Sequence, residues 1–291
     1  MPHTNVGSVE LEYEIIGQGR PLVLIMGLGA QMIFWDDRLC EMLAERGFAV
    51  IRFDHRDVGG STRLDHLPAP RLWDTVVRGF VGLQVSVPYT LSDMARDVAG
   101  LMDSLGIDRA DVVGASMGGM IAQHLVLEHP ERVRSLTSIM STPGGRWFLP
   151  KIAAMRALIQ PRPRTPEQAE ESVLQTWRVI GSPGFPFDEA RLRALGRRAF
   201  ERGMSSRGFR RHLAAIATAA DRRPALRDVR TPTLVIHGRV DPLIPLSAGR
   251  ATARAIPGAR LLEIAGMGHD LPSGAWPRVV NAIAAHTEHA R

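Results

Sequence analysis

A serine stands between two glycines at residues 114–118, in the segment Gly-Ala-Ser-Met-Gly. The apolar run before it predicts a buried strand, and the residues after it have the pattern of a helix. Flanking glycines allow a sharp strand-to-helix turn, which lifts the serine hydroxyl above the sheet. The first helical amide, on Met117, would then lie beside the hydroxyl and stabilise an oxyanion. Ser116 is therefore a candidate nucleophile; the alternative is an incidental serine at a glycine-rich helix start.

A serine hydroxyl is a weak nucleophile that needs a neutral histidine as base and a carboxylate that orients the histidine. Asp241 and His269 meet these requirements, since each lies in a loop after a predicted strand and both follow Ser116 in the order acid, then histidine. Two alternatives remain open: Asp241 as a turn aspartate, and His269 as a loop histidine bonded to backbone. The other histidines and acid considered as base or acid are weaker candidates, because they lie on or near a helix, inside a strand, near the last residue or directly beside His269. They are His124, His129, His237, His286, His289 and Asp270.

Predicted strands and helices alternate along most of the chain. Strands are predicted in the segments PLVLIMG, FAVIRFD, ADVVGAS, VRSLTSIMS, TPTLVIHG and ARLLEIAG, the first three of them buried. The segment SVELEYEII is predicted as an antiparallel edge strand, and Ser92 is predicted as the N-cap of the helix that begins LSDMARD. Repeated strand–helix units indicate an α/β fold with a mostly parallel central sheet and helices on both faces.

Residues 143–224 differ from the rest of the chain. They contain no convincing strand, are rich in Arg, Ala and Pro, and show several helical patterns. The sequence therefore predicts a core formed by residues 1–142 and 225–291, with residues 143–224 inserted between two core strands as a helical cap.

Five segments occur in the order typical of the α/β-hydrolase superfamily: MGLGAQMIFW, IRFDHRDVGGST, VVGASMGGMIAQ, PTLVIHGRVDPLIP and IAGMGHDLP. Within it the chain resembles the aclacinomycin methylesterase-like group of small carboxylesterases. The resemblance implies an α/β-hydrolase fold with Ser116 as nucleophile, Asp241 as acid and His269 as base. Many relatives have His-Gly where this chain has Met26-Gly27. The match still assigns Leu28 as the second backbone donor of the oxyanion hole, beside Met117.

Aromatic residues are candidates for the substrate pocket. Phe34 and Trp35 directly follow the proposed oxyanion loop, although one of them could belong to the core. Trp177 and Phe187 lie in the predicted cap, where apolar side chains would form walls over an acyl-transfer centre.

The chain has 291 residues with a formal net charge of +6, but its arginines are scattered among acids, so we expect no nucleic-acid partner. Cys40 is the only cysteine, which excludes an intrachain disulfide and a cysteine-based zinc cluster. In GLGAQM, Met32 replaces the third glycine of a dinucleotide-binding fingerprint. We expect no cofactor and no metal. Without a signal-peptide core or an apolar run of roughly 18–20 residues, we expect a cytoplasmic location and no membrane partner.

These features predict a serine carboxylic-ester hydrolase that acts on a small-molecule ester through a Ser-His-Asp triad and an acyl-enzyme. The alternatives are a lactonase, perhydrolase or acyltransferase that uses the same three residues. A different class is a non-catalytic receptor for a small molecule on the same fold. The oligomeric state is left open.

Overall fold

The computed structural model describes residues 1–71, 74–75, 77–78, 87–145 and 148–288. These residues form one eight-stranded sheet in the order β1-β2-β4-β3-β5-β6-β7-β8. The strands are β1 (His3–Val6), β2 (Val9–Ile16), β3 (Arg20–Ile25), β4 (Phe48–Phe53), β5 (Ala110–Ala115), β6 (Val133–Ile139), β7 (Thr233–Gly238) and β8 (Arg260–Ile264). Strands β3 to β8 pair in parallel, whereas β1 and β2 are antiparallel to their neighbours. The mostly parallel sheet predicted from the sequence is confirmed.

Helices cover both faces of the sheet, which explains why strands such as β3 and β5 are mainly apolar. The core helices are α1 (Asp37–Ala44), α2 (Leu91–Ser104), α3 (Met117–Glu128), α9 (Leu246–Ala255) and α10 (Trp276–Glu288). Alternate residues of β3 face opposite sides: Val23 and Ile25 pack in the cluster that holds α2, α3 and α9, whereas Leu22 and Leu24 pack in the cluster that holds α1 and α10. The sheet therefore separates two hydrophobic cores.

Between β6 and β7 the chain forms helices α4 (Ile152–Leu158), α5 (Pro166–Ile180), α6 (Glu189–Glu201), α7 (Ser206–Ala217) and α8 (Arg223–Leu226). We call residues 143–224 the helical segment. No strand occurs in its described part, which omits residues 146 and 147. The segment leaves the sheet after β6 and returns to it at β7, so both of its ends lie at neighbouring strands.

Two ion pairs join the helical segment to the turn that follows β4. Arg211 donates through Nε and Nη2 to both carboxylate oxygens of Asp57, and neither side chain is exposed to solvent. Arg202, directly after α6, contacts Asp54, whose carboxylate also accepts the Met32 amide at 2.6 Å. Breaking such buried pairs leaves a charge without a partner, so they hold the segment in one position.

Two details of the sequence interpretation were wrong. The segment predicted as the edge strand is β2, and β1 covers it, so the edge is His3–Val6. Helix α2 begins two residues earlier than predicted: Thr90 is its N-cap and forms a capping box with Asp93. Ser92 lies inside the helix and donates its hydroxyl to Glu128 at 2.7 Å. Over the described residues, no helix has the length and apolar character needed to cross a membrane.

Candidate active site

Ser116 occupies the turn between β5 and α3, with φ of 55° and ψ of −119°. A non-glycine residue rarely adopts a positive φ, so this backbone is strained and must be held by its surroundings. The glycines two residues before and two residues after Ser116 lie where a side chain would clash with the backbone. A Cβ atom on Gly114 would lie 2.2 Å from the Gly118 oxygen, and one on Gly118 would lie 2.0 Å from the Ile25 oxygen. The two glycines therefore allow the close packing that supports the turn.

His269 lies in the loop after β8, between Ser116 and Asp241. Its Nε2 atom is 3.0 Å from the Ser116 hydroxyl oxygen, and its Nδ1 atom is 2.7 Å from Oδ2 of Asp241. With Nδ1–H donating to the carboxylate, Nε2 is left to accept a proton from the serine. The His269 amide also donates to the Ile180 carbonyl at 2.7 Å, so the last turn of α5 fixes the loop.

Asp241 follows β7 and is oriented by backbone donors. Its Oδ1 atom accepts the amides of Leu243 and Ile244 at 2.8 and 2.9 Å, which leaves Oδ2 to face His269. His237 lies on the other side, with Nε2 3.6 Å from Oδ2 of Asp241 and 2.9 Å from the Ile244 carbonyl. Burial lowers the pKa of His237, which favours its neutral form. Asp241 thus uses Oδ1 to accept two amides of its own loop and Oδ2 to accept from His269.

The loop after β3 passes directly beside Ser116. A Cβ atom on Gly27 would lie 3.3 Å from Cβ of Ser116. The amides of Leu28 and Met117 donate no hydrogen bond to any acceptor in the described ranges. Two unpaired amides near the serine hydroxyl are donors available to an oxygen of a bound molecule. Leu28 and Ser116 both border the same cavity.

Two buried histidines hold this loop, and neither was identified from the sequence. His55 Nε2 donates to the Met26 carbonyl at 3.0 Å, and His212 of α7 accepts the Gly29 amide at 3.3 Å through Nδ1. Burial lowers the pKa of His55 to about 3 and that of His212 to about 4, so both rings are neutral at pH 7. A neutral His212 can accept at Nδ1 and donate from Nε2 to the Arg56 carbonyl.

Ser116 and His269 open onto a cavity of about 1510 Å³. Core residues and the helical segment both line it. Of the four aromatic pocket candidates, Phe34 and Trp177 face this cavity, with ring centroids 5.8 Å apart.

Trp35 and Phe187 lie elsewhere, so their expected contact with the pocket was wrong. Trp35, directly after the short 3-10 turn Met32–Phe34, is only 1% exposed and packs with residues of α1 in the core. Phe187 is 44% exposed in the loop before α6, where the Arg178 guanidinium covers its ring at 5.6 Å.

Asp270 is a second carboxyl group beside His269, but it has a different partner. The Ser182 hydroxyl donates to Asp270, and the same hydroxyl oxygen accepts the Gly268 amide at 2.9 Å. Burial raises the pKa of Asp270. Across the described part of the chain, no group of three or more His, Cys, Asp and Glu side chains could hold a metal ion.

Comparison with known proteins agrees with this architecture. Residues 20–176 match the family model of the alpha/beta hydrolase fold, and residues 214–286 match that of TAP-like proteins. Rhodomycin D methylesterase DnrP of Streptomyces peucetius is 31% identical over 93% of this chain and 91% of its own length. The putative carbamate hydrolase RutD of Azorhizobium caulinodans is 31% identical over 97% of this chain and 96% of its own length.

Solved structures show the same fold. The meta-cleavage product hydrolase CumD of Pseudomonas fluorescens IP01 superposes with a TM-score of 0.76 at 20% identity, over 100% of this chain and 98% of that one. The enol-lactonase of Burkholderia xenovorans LB400 superposes with a TM-score of 0.74 at 24% identity, over 99% of this chain and 100% of that one. These matches confirm the resemblance drawn from the sequence motifs, and the chain belongs to the alpha/beta hydrolase fold family.

Proposed function

We propose that this protein is a serine carboxylic-ester hydrolase whose triad is Ser116, His269 and Asp241. The observation that carries the proposal is the position of His269, with Nε2 3.0 Å from the serine hydroxyl and Nδ1 2.7 Å from the aspartate. Both distances are within hydrogen-bond range, so one imidazole can accept the serine proton and share its positive charge with the carboxylate.

In the first half of the reaction, the Ser116 oxygen attacks the ester carbonyl while His269 Nε2 takes the serine proton. The tetrahedral oxygen accepts hydrogen bonds from the amides of Leu28 and Met117. His269 then gives its proton to the leaving alkoxide, and the alcohol departs. In the second half, water loses a proton to His269 and attacks the acyl-enzyme, which releases the acid and restores Ser116.

The helical segment acts in this proposal as the cap that selects the substrate. Its residue Trp177 borders the cavity together with Phe34 of the core, and its Ile180 carbonyl accepts the amide of His269. A cavity of about 1510 Å³ exceeds the usual range of roughly 300–1,000 Å³ for small-molecule sites. The cavity therefore has room for a large acyl or alcohol group, and the relative named a rhodomycin D methylesterase supports a methyl ester as the reacting group.

A carbamate is the second candidate for the reacting group, since a relative of 31% identity is named a putative carbamate hydrolase. The same attack and the same oxyanion donors would apply, because a carbamate also has an electrophilic carbonyl carbon. An ester and a carbamate of the same alcohol separate the two, when each kcat/KM is divided by the rate constant of uncatalysed hydrolysis: the proposal predicts the larger ratio for the ester.

The proposal is tested by Ser116→Ala, with hydrolysis of short p-nitrophenyl esters as the readout. Loss of the nucleophile should lower kcat by on the order of 10⁴–10⁶, the cost of removing a triad member in other serine hydrolases. Ser138→Ala is the matched control. Ser138 is a buried serine of β6 whose hydroxyl has no hydrogen-bond partner within the described residues. If Ser116→Ala kept a tenth of the wild-type kcat, Ser116 would not be the nucleophile.

A further inference from the structure

An arginine guanidinium borders the cavity close to the proposed oxyanion loop. Arg162 lies in the loop between α4 and α5 and lines the cavity. Its Nη2 atom is 3.4 Å from the position that a Cβ atom would take on Gly29, the residue after Leu28. Its Cζ atom is 4.7 Å from the centroid of the Phe209 ring. The guanidinium is thus held over an aromatic face, one residue along the chain from a proposed oxyanion donor.

Arg162 has no anionic partner in the part of the chain that the structure describes. Neither an ion pair nor a hydrogen bond links its guanidinium to those residues, and the residues outside the described ranges include no Asp or Glu. Burial alone lowers the pKa of Arg162 to about 10, with no acidic neighbour opposing the shift, so the group stays charged at pH 7. By contrast, Arg191, which also lines the cavity, pairs with Asp36 at 3.1 Å.

A partly buried cation without a carboxylate loses solvation and gains no ion pair in return. Its planar donors match a carboxylate in a bidentate arrangement, which a point charge such as lysine does not reproduce. Contact with the Phe209 ring limits the orientations of the guanidinium plane. The cavity that Ser116 borders thus also contains an oriented anion-binding group.

We propose that Arg162 is the anion subsite of this cavity and binds a carboxylate of the substrate, which makes monoesters of dicarboxylic acids the preferred class. This inference rests on the proposed function, because the ester group of the same molecule would lie at Ser116. The carboxylate would lie near Gly29, because Arg162 Nη2 is 3.4 Å from the Cβ position of that residue, which follows Leu28 in the chain. Hydrolysis of such a monoester consumes one water and yields the diacid and the alcohol.

The test compares mono-p-nitrophenyl adipate with p-nitrophenyl hexanoate, which have the same chain length but differ in the terminal carboxylate. In the wild type, the adipate should have the higher kcat/KM. Arg162→Met should lower the ratio of kcat/KM for the adipate to kcat/KM for the hexanoate by about tenfold or more. A loss of this size is expected when one charge-assisted hydrogen bond to the substrate is removed. Arg162→Lys should recover part of that loss. Arg164→Met is the matched control, because Arg164 has the same charge, lies two residues away and is exposed outside the cavity.

The proposal is overturned if Arg162→Met and Arg164→Met change the ratio equally, since only net charge would then matter. It is also overturned if Arg162→Met lowers both rates equally, which indicates a structural role. Calorimetric binding of adipate to Ser116→Ala, with and without Arg162→Met, separates the subsite from the chemistry. One outcome separates the two proposals. If adipate binding requires Arg162 but the wild-type protein hydrolyses neither ester, the subsite is supported and the proposed function is refuted.

Discussion

Replacing Asp241 by Asn should stop catalysis through the tautomer of His269, while the loop stays in place. In the structure, Oδ1 of Asp241 accepts two backbone amides, from Leu243 and Ile244, and Oδ2 faces Nδ1 of His269. An asparagine must keep its carbonyl oxygen toward the two amides, because an NH₂ group there would face two donors. Its NH₂ group then points at His269 and requires Nδ1 to be an acceptor.

With Nδ1 as acceptor, a neutral imidazole carries its proton on Nε2, 3.0 Å from the Ser116 oxygen. That atom then cannot accept the serine proton. The two backbone hydrogen bonds survive, so stability should change little. On these grounds Asp241→Asn should lower kcat by about 10⁴, the size seen for the equivalent change in a serine protease.

The assay is kcat for a p-nitrophenyl ester at pH 7, with thermal unfolding measured on the same samples. Asp270→Asn is the matched control, since Asp270 is adjacent to His269 in the chain but bonds to Ser182 instead of the imidazole. We expect the control to reduce kcat by less than about tenfold, below the range for a lost triad member. A kcat of Asp241→Asn above a tenth of the wild type, or a larger loss in the Asp270 variant, would refute this reasoning.

Three further predictions concern stability and specificity. The free energy of unfolding should fall as the pH drops from about 6.5 toward 3, by up to about 1.4 kcal/mol per pH unit from His55 alone, because His55 binds a proton in the unfolded chain but not in the folded protein. Urea unfolding measured at several pH values should show a weaker dependence of this free energy on pH for His55→Gln. Arg202→Met should cost about 3–5 kcal/mol in urea unfolding, since it leaves the fully buried Asp54 without its cation, and an unchanged midpoint would contradict this. Trp177→Ala should change the ratio of kcat/KM between short and long esters, because each methylene group in an apolar pocket contributes about 1–3 kcal/mol to the discrimination between substrates. Phe187→Ala, which alters an exposed ring, should leave that ratio unchanged.

Much of the sheet could be predicted because a strand covered on both faces is usually rich in apolar residues. The runs that contain β3, β5 and β7 are mainly apolar, with Arg20, Asp111 and His237 as the charged or titratable exceptions. The candidate site was found in the same way, because its serine, aspartate and histidine follow strands β5, β7 and β8. Parallel strands bring those loops to one edge of the sheet.

Side-chain direction and long-range pairing were not accessible from the sequence. Phe34 and Trp35 are neighbours of similar character, and only the geometry of a short turn sends one to the cavity and the other to the core. The contact between His212 and Gly29 spans 183 residues, and no local pattern encodes such a pair. The N-cap of α2 could have been found, since Thr90 and Asp93 have the spacing of a capping box.

The central claim is that Ser116 is the nucleophile activated by His269, and covalent labelling tests it most directly. The protein is incubated with a fluorophosphonate, and the adduct is located by intact-mass and peptide mass spectrometry. We predict one adduct per chain, on the peptide that contains Ser116, formed much more slowly in His269→Gln and absent in Ser116→Ala. An adduct on another residue, or ester hydrolysis that continues in fully labelled Ser116 protein, would contradict the account.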